Sequence, residues 1–203
     1  MSVKCLALSD MILEVQLVWD YQQDRVKFEG FANSYPALFD KLKKAGWTGG
    51  KLPRPLPGPA RLSWARAAEL FVLHPTALDF LLVFEGLELE ASYVVGDLGP
   101  YTSHVRFYPG RAFASMKTSA FDYDEDITDI LEDPDPFPVA ESAGKVLFIT
   151  PSCRAAFIDQ SLCGYIRAPE PFMLLNAVLF NVGSDLVERD AVPFGDRVTG
   201  RSM

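Results

Sequence analysis

The sequence predicts an α+β protein, with a mixed or antiparallel sheet flanked by several helices. Three observations support this. Alternating stretches and helical stretches both occur, but not in the regular strand–helix–strand rhythm of a doubly wound sheet. The composition is that of a globular chain, 49% hydrophobic and 23% charged over 203 residues. Fifteen Phe, seven Tyr and three Trp provide bulky core material.

The elements follow in order. From Ile12 to Tyr21, Leu13, Val15, Leu17 and Trp19 alternate with their neighbours, which is strand periodicity. After the polar turn Gln22-Gln23-Asp24, Arg25 to Phe31 reads as a second strand. A helix is expected next, capped by Asn33 or Ser34, with Pro36 in its first turn and Leu38, Phe39 and Leu42 on its apolar face. Lys41, Lys43 and Lys44 complement its dipole, and Gly46 ends it. Ser63 caps a helix through Phe71, and Pro75 ends or kinks it. Thr76 to Phe84 forms another helix, closed by Gly86. Leu87 to Val95, Thr102 to Tyr108 and Arg111 to Lys117 read as strands, the first two separated by the turn Gly96 to Pro100. Ile127, Ile130 and Leu131 lie at helical spacing within an acidic stretch. Lys145 to Thr150 is a strand, Ser152 caps a helix running through Arg154 to Leu162, Tyr165 to Arg167 is a short strand, and Pro171 to Val182 is an apolar helix. The tail after Pro193 is polar.

Proline at every second residue in Leu52–Pro59 and again in Asp133–Pro138 marks two semi-rigid connectors. The chain therefore divides into a ββα unit (1–51), a proline-rich connector (52–60), a helix and strand unit ending in the acidic segment (61–133) and a C-terminal strand–helix unit (134–203). Together they form one domain or two closely packed subdomains.

The most apolar stretch, Leu70 to Phe84, is 15 residues long and is interrupted by His74, Pro75 and Asp79. A span needs about 20 apolar residues, so no membrane segment is expected. Cys5, Cys153 and Cys163 are odd in number and widely spaced, which fits reduced thiols and a cytoplasmic protein.

Charge is the strongest functional signal. Between Ser119 and Gly144 lie nine acids and no Lys or Arg: Asp122, Asp124, Glu125, Asp126, Asp129, Glu132, Asp133, Asp135 and Glu141. Taking those nine from the chain's 27 acids leaves 18 against 19 bases. A single-sign segment steers a cationic partner, with Phe121, Tyr123 and Phe137 as buried anchors. The expected function is a non-enzymatic interaction module docking on a basic protein surface, in concrete form an inhibitor or immunity-type protein whose carboxylates stand in for phosphates. Asp122, Asp124, Asp126 and Asp133 match positions of a calcium loop, but Ile127 stands where the sharp turn needs glycine, so no metal or cofactor is assigned.

Two other readings remain. Seven bases and no acid run from Lys41 to Arg66, with Trp47 and Trp64 among them. Lys41, Lys43, Lys44, Trp47, Lys51 and Arg54 form a candidate site for nucleic acid or a phosphorylated ligand. His104, Arg106 and Tyr108 would share one strand face and form a candidate enzyme site, although no nucleophile is tied to them. Cys153 would sit at a helix N-terminus, where a thiol is activated. His74, before Pro75, reads as a capping or packing residue.

Val146 to Thr150, then Ser152 with a helix carrying Phe157 and Ile158, then Gly164-Tyr165-Ile166, resembles a strand–capped helix–strand pattern of some bacterial immunity proteins.

Overall fold

The computed structural model describes residues 30–47, 67–68, 70–84, 86–94, 100–107, 123–142, 144–159, 164–180 and 188–191. Strand Ile12–Tyr21, the connector 52–60, strand Arg111–Lys117 and the tail after Pro193 lie outside them. Among the described residues, the principal helices are α1 (Pro36–Lys44), α2 (Pro75–Phe84), α3 (Tyr123–Leu131) and α4 (Pro171–Phe180). The strands are β1 (Glu88–Val94), β2 (Pro100–Arg106), β3 (Phe137–Ser142), β4 (Lys145–Ile149), β5 (Ala155–Asp159), β6 (Gly164–Ala168) and β7 (Glu188–Ala191). Each strand pairs antiparallel with the next, giving a seven-stranded meander in an α+β fold. The sheet is continuous across position 133/134, where the sequence places a boundary between units.

Burial explains the layering. In β1 and β2, Leu89, Ala91, Ser103 and Val105 are buried, whereas Glu88, Glu90, Ser92, Thr102 and Arg106 are exposed, so one face of this hairpin meets solvent. In β4 and β5, Val146 to Ile149 and Ala155 to Ile158 are all buried, so both faces of this hairpin are covered. Helices α2 and α4 cover the face opposite Arg106, where Phe80, Phe84, Phe107 and Phe172 interlock with ring centroids 4.8–6.2 Å apart. Helix α3 packs on β5 and β6 from the other face, burying Ile127, Ile130 and Leu131.

Local chemistry sets the helix ends. In α1, Gly46 at φ +98° lets the Gly46 N–H reach the Lys43 carbonyl and the Trp47 N–H reach the Leu42 carbonyl, closing a Schellman motif. The N-cap is Tyr35, not Asn33 or Ser34. Residues 30–34 already form a helical turn, in which the Ser34 hydroxyl donates back to the Gly30 carbonyl, so Phe31 is helical and not the end of a strand. At α2, His74 acts as N-cap: its Nδ1 accepts the Ala77 N–H at 3.2 Å and its Nε2 donates to the Ile149 carbonyl at 3.2 Å. Pro75, lacking an N–H, suits the first helical position.

Two sequence expectations fail here. Phe137 and Pro138 belong to strand β3, not to a connector. The β2 ladder reaches β3 only at Glu141, and the register shifts between Pro138 and Ala140, so the proline sits at a bulged strand end where its missing donor is tolerated. The helix expected from Ser152 is strand β5. Pro151 to Cys153 make a tight turn in which the Thr150 N–H bonds the Arg154 carbonyl, the Cys153 N–H bonds the Thr150 carbonyl and Cys153 takes φ 72°. A short apolar run such as Ala155 to Ile158 carries no periodicity that separates helix from strand, and pairing with β4 and β6 decides it.

His74 titration follows from this geometry. Burial holds its pKa below the usual value, although the Ile149 carbonyl and Asp135 oppose this. A histidine with a depressed folded pKa binds more protons when unfolded, so its stability contribution is complete above the unfolded value of about 6.5 and is lost as pH falls below it. Urea melts between pH 7 and pH 5 should show stability dropping by at most ~1.4 kcal/mol per pH unit. His74→Asn, which keeps a neutral cap, should flatten that slope.

Candidate functional site

The acidic segment is where the sequence signal and the structure meet. It forms α3 and the turn leading into β3. Helix α3 has no base in its last turn and is followed by Glu132 and Asp133, so carboxylates crowd the negative pole of the helix dipole. Cations from elsewhere offset this. Arg154, just before β5, donates from Nη1 to the Leu131 carbonyl at 3.1 Å and to Glu132 Oε2 at 3.2 Å. Arg167, on β6, donates from Nη1 to the Ile130 carbonyl at 2.8 Å and lies 2.9 Å from Glu132 Oε1. Glu132, at φ 52°, thus bridges two guanidinium groups with one oxygen each. Its carboxyl is held below the usual range by Arg167 and then Arg154.

Asp133 is also tied inward. Burial alone would raise its pKa, but hydrogen bonds from Ser152 and Thr150 outweigh burial and lower it. Glu141 lies 4.0 Å from Arg106. Phe137 is fully buried in the core and cannot serve as a docking anchor. Asp129 and Asp135 differ: both are exposed, and among the described residues no cation lies in ion-pair reach of either. Tyr123, Asp124, Glu125 and Asp126 are residues of α3, and their side chains lie outside the description, as does Asp122 altogether. Tyr123–Leu131, which includes Asp124 and Asp126, is helical where a calcium loop would have to turn.

Between the two arginines lies a cleft of about 230 Å³, lined also by Leu131, Glu132, Ala155, Ala168 and Pro169. Arg154 and Arg167 were absent from the sequence-derived site. The available signal was the helix end itself, because an acidic C-terminus without local bases requires partners from distant strands.

The other candidate sites fare differently. On α1, Lys41 donates to the Glu90 carbonyl of β1 and the Lys43 ammonium sits 4.2 Å from the Phe39 ring centroid, while Lys44 is exposed. Trp47 is buried, edge-on to Phe39 at 5.3 Å and 6.2 Å from Phe84, so it offers no platform for a base. Lys51 and Arg54 lie outside the described residues. Among the described residues, the acidic and basic stretches do not pair with each other.

His104 and Arg106 share a strand face as expected, and Tyr108 lies outside the description. Across the ladder, His104 opposes Glu90 and Arg106 opposes Glu88. Arg106 Nε bonds Glu88 at 2.8 Å, and His104 Nδ1 lies 3.7 Å from Glu88 and 3.9 Å from Glu90. The cation that would bind a substrate anion is matched by the protein's own carboxylates. Cys153 is exposed in the β4–β5 turn and not at a helix start, so the helix N-terminus expected beside its thiol is absent. The same strand removes the helix on which the likeness to immunity proteins rested. No family model, curated protein or solved structure matches this chain. No helix among the described residues is long and apolar enough to cross a membrane.

The clasp makes a stability prediction. Arg167→Ala removes bonds to a helix carbonyl and to a carboxylate, and should cost roughly 1–3 kcal/mol in a urea melt. Asp129→Asn, on the outer surface, should change stability by no more than about 0.5 kcal/mol.

Proposed function

We propose that the protein is a non-enzymatic interaction module that docks the outer side of α3 and the turn after it on a basic surface of a partner protein. An inhibitor or immunity-type protein covering a polyanion-binding groove is the concrete form of this reading. The observation that carries it is the exposure of Asp129 and Asp135 beside a helix whose apolar side is buried and whose C-terminus is clasped by two arginines. Carboxylates on an element already fixed in place lose little further freedom on binding, and a single-sign face speeds encounter with a cationic partner. Asp122, Asp124, Glu125 and Asp126 extend the same acidic run toward the N-terminal end of α3. Glu132 is exposed as well, but it is ion-paired to Arg154 and Arg167, and Asp133 is hydrogen-bonded to Ser152, so these two carboxylates present less unpaired charge to the partner than Asp129 and Asp135.

Affinity capture from the native host tests the reading. The wild-type chain should retain a basic protein that elutes with ~0.5 M salt, where screening reaches a few ångströms. Asp129→Lys with Asp135→Lys should reduce capture at least ~10-fold, since like charges meet across the interface. Capture unchanged by the double substitution, or resistant to that salt, would overturn it.

A further inference from the structure

We propose that the cleft between Arg154 and Arg167 is a binding site for a small carboxylate, and that Glu132 is its built-in, displaceable occupant. This inference does not depend on the docking face. Two guanidinium groups, one from the β4–β5 turn and one from β6, converge on one carboxylate and take one oxygen each, at 3.2 and 2.9 Å. Each bond is charge-assisted, so the two arginines together satisfy both oxygens of one carboxylate. Glu132 reaches them from a left-handed turn residue, and its side chain is 58% exposed, so it can swing into water without opening the core.

The arginines would remain aimed once Glu132 leaves. Each is anchored independently by a carbonyl at the end of α3, Arg154 by Leu131 and Arg167 by Ile130. The cleft of about 230 Å³ equals several water volumes of ~30 Å³ each, and Ala155, Ala168 and Pro169 give it an apolar part. A carboxylate on a short apolar body therefore fits both its polar and its apolar walls. A phosphate dianion is disfavoured, because the same arginines already face two carbonyls at the negative end of a helix.

The intramolecular carboxylate competes at an effective concentration of order mM, which masks the site in the wild-type chain. Titration with sodium butyrate, followed by the NMR signals of the arginine Nε–H groups, tests this. Glu132→Gln should bind butyrate at least ~10-fold more tightly than wild type, with the Arg154 and Arg167 signals moving together. Adding Arg154→Lys to that variant should reverse the gain, because Arg154 holds the Leu131 carbonyl and a carboxylate oxygen at once, and a compact, strongly hydrated ammonium does not keep that rigid planar donor geometry. Glu132→Asp, which keeps the charge but is too short to span both arginines, should show the same gain and covers the case in which Glu132→Gln loosens α3. Equal butyrate affinity in wild type and both Glu132 variants would overturn the proposal. So would tighter binding of inorganic phosphate than of butyrate, or a gain that survives Arg154→Lys.

Discussion

Strands β4 and β5 are buried on both faces, and a strand with no solvent side needs a layer above and a layer below. The rest of the described structure follows from that constraint. The apolar helices α2 and α4 supply one layer with their cluster of phenylalanines. The other layer over β5 and β6 is α3, drawn from the most acidic segment of the chain. A helix of that composition can cover a sheet only by burying its few apolar residues and turning its charge elsewhere. Ile127, Ile130 and Leu131 do the first, and the arginine clasp at its C-terminus deals with part of the second.

The carboxylates consequently divide by role. Glu132 and Asp133 hold α3 to the β4–β5 turn and to β6, through Arg154, Arg167 and Ser152. Asp129 and Asp135 are exposed with no ion pair among the described residues, whereas Glu132 is exposed but paired. Net charge in a linear segment therefore overstates what is displayed: part of a run of acids can be neutralised by the protein's own arginines, and the unpaired part offers the most charge to a partner. The strained backbone is concentrated in the same corner, where the non-glycine residues Glu132, Asp135 and Cys153 all take positive φ. Such conformations persist where surrounding contacts fix them.

The parts of the fold that were legible in the sequence are those with a strong period or a punctuating residue. Helices α1, α2 and α4, strands β1, β2, β4 and β6 and the helix in the acidic segment follow from spacing, from Gly46 and Gly86 and from Pro36 and Pro171, whereas Pro75, read as ending or kinking the preceding helix, opens α2. Strand β5 was misread because Ser152 offers a helix cap and Ala155 to Ile158 offers no alternation; the strand forms because both its edges are paired. Strand β3 was hidden by Pro138, which is acceptable only because the register shifts beside it. Of the candidate site, the acidic residues were legible and their partners were not. Arg154 and Arg167 are distant in sequence from Glu132 or separated from it by a hairpin, and only the sheet register brings them together.

Native-state hydrogen exchange tests the central claim, that α3 is an integral layer of the core and not an appended acidic arm. The amides of Ile130 and Leu131 should exchange with the same opening free energy as those of Leu147 and Phe157 in the doubly buried hairpin. Exchange of the α3 amides through a local opening several kcal/mol easier than that of the hairpin would contradict it.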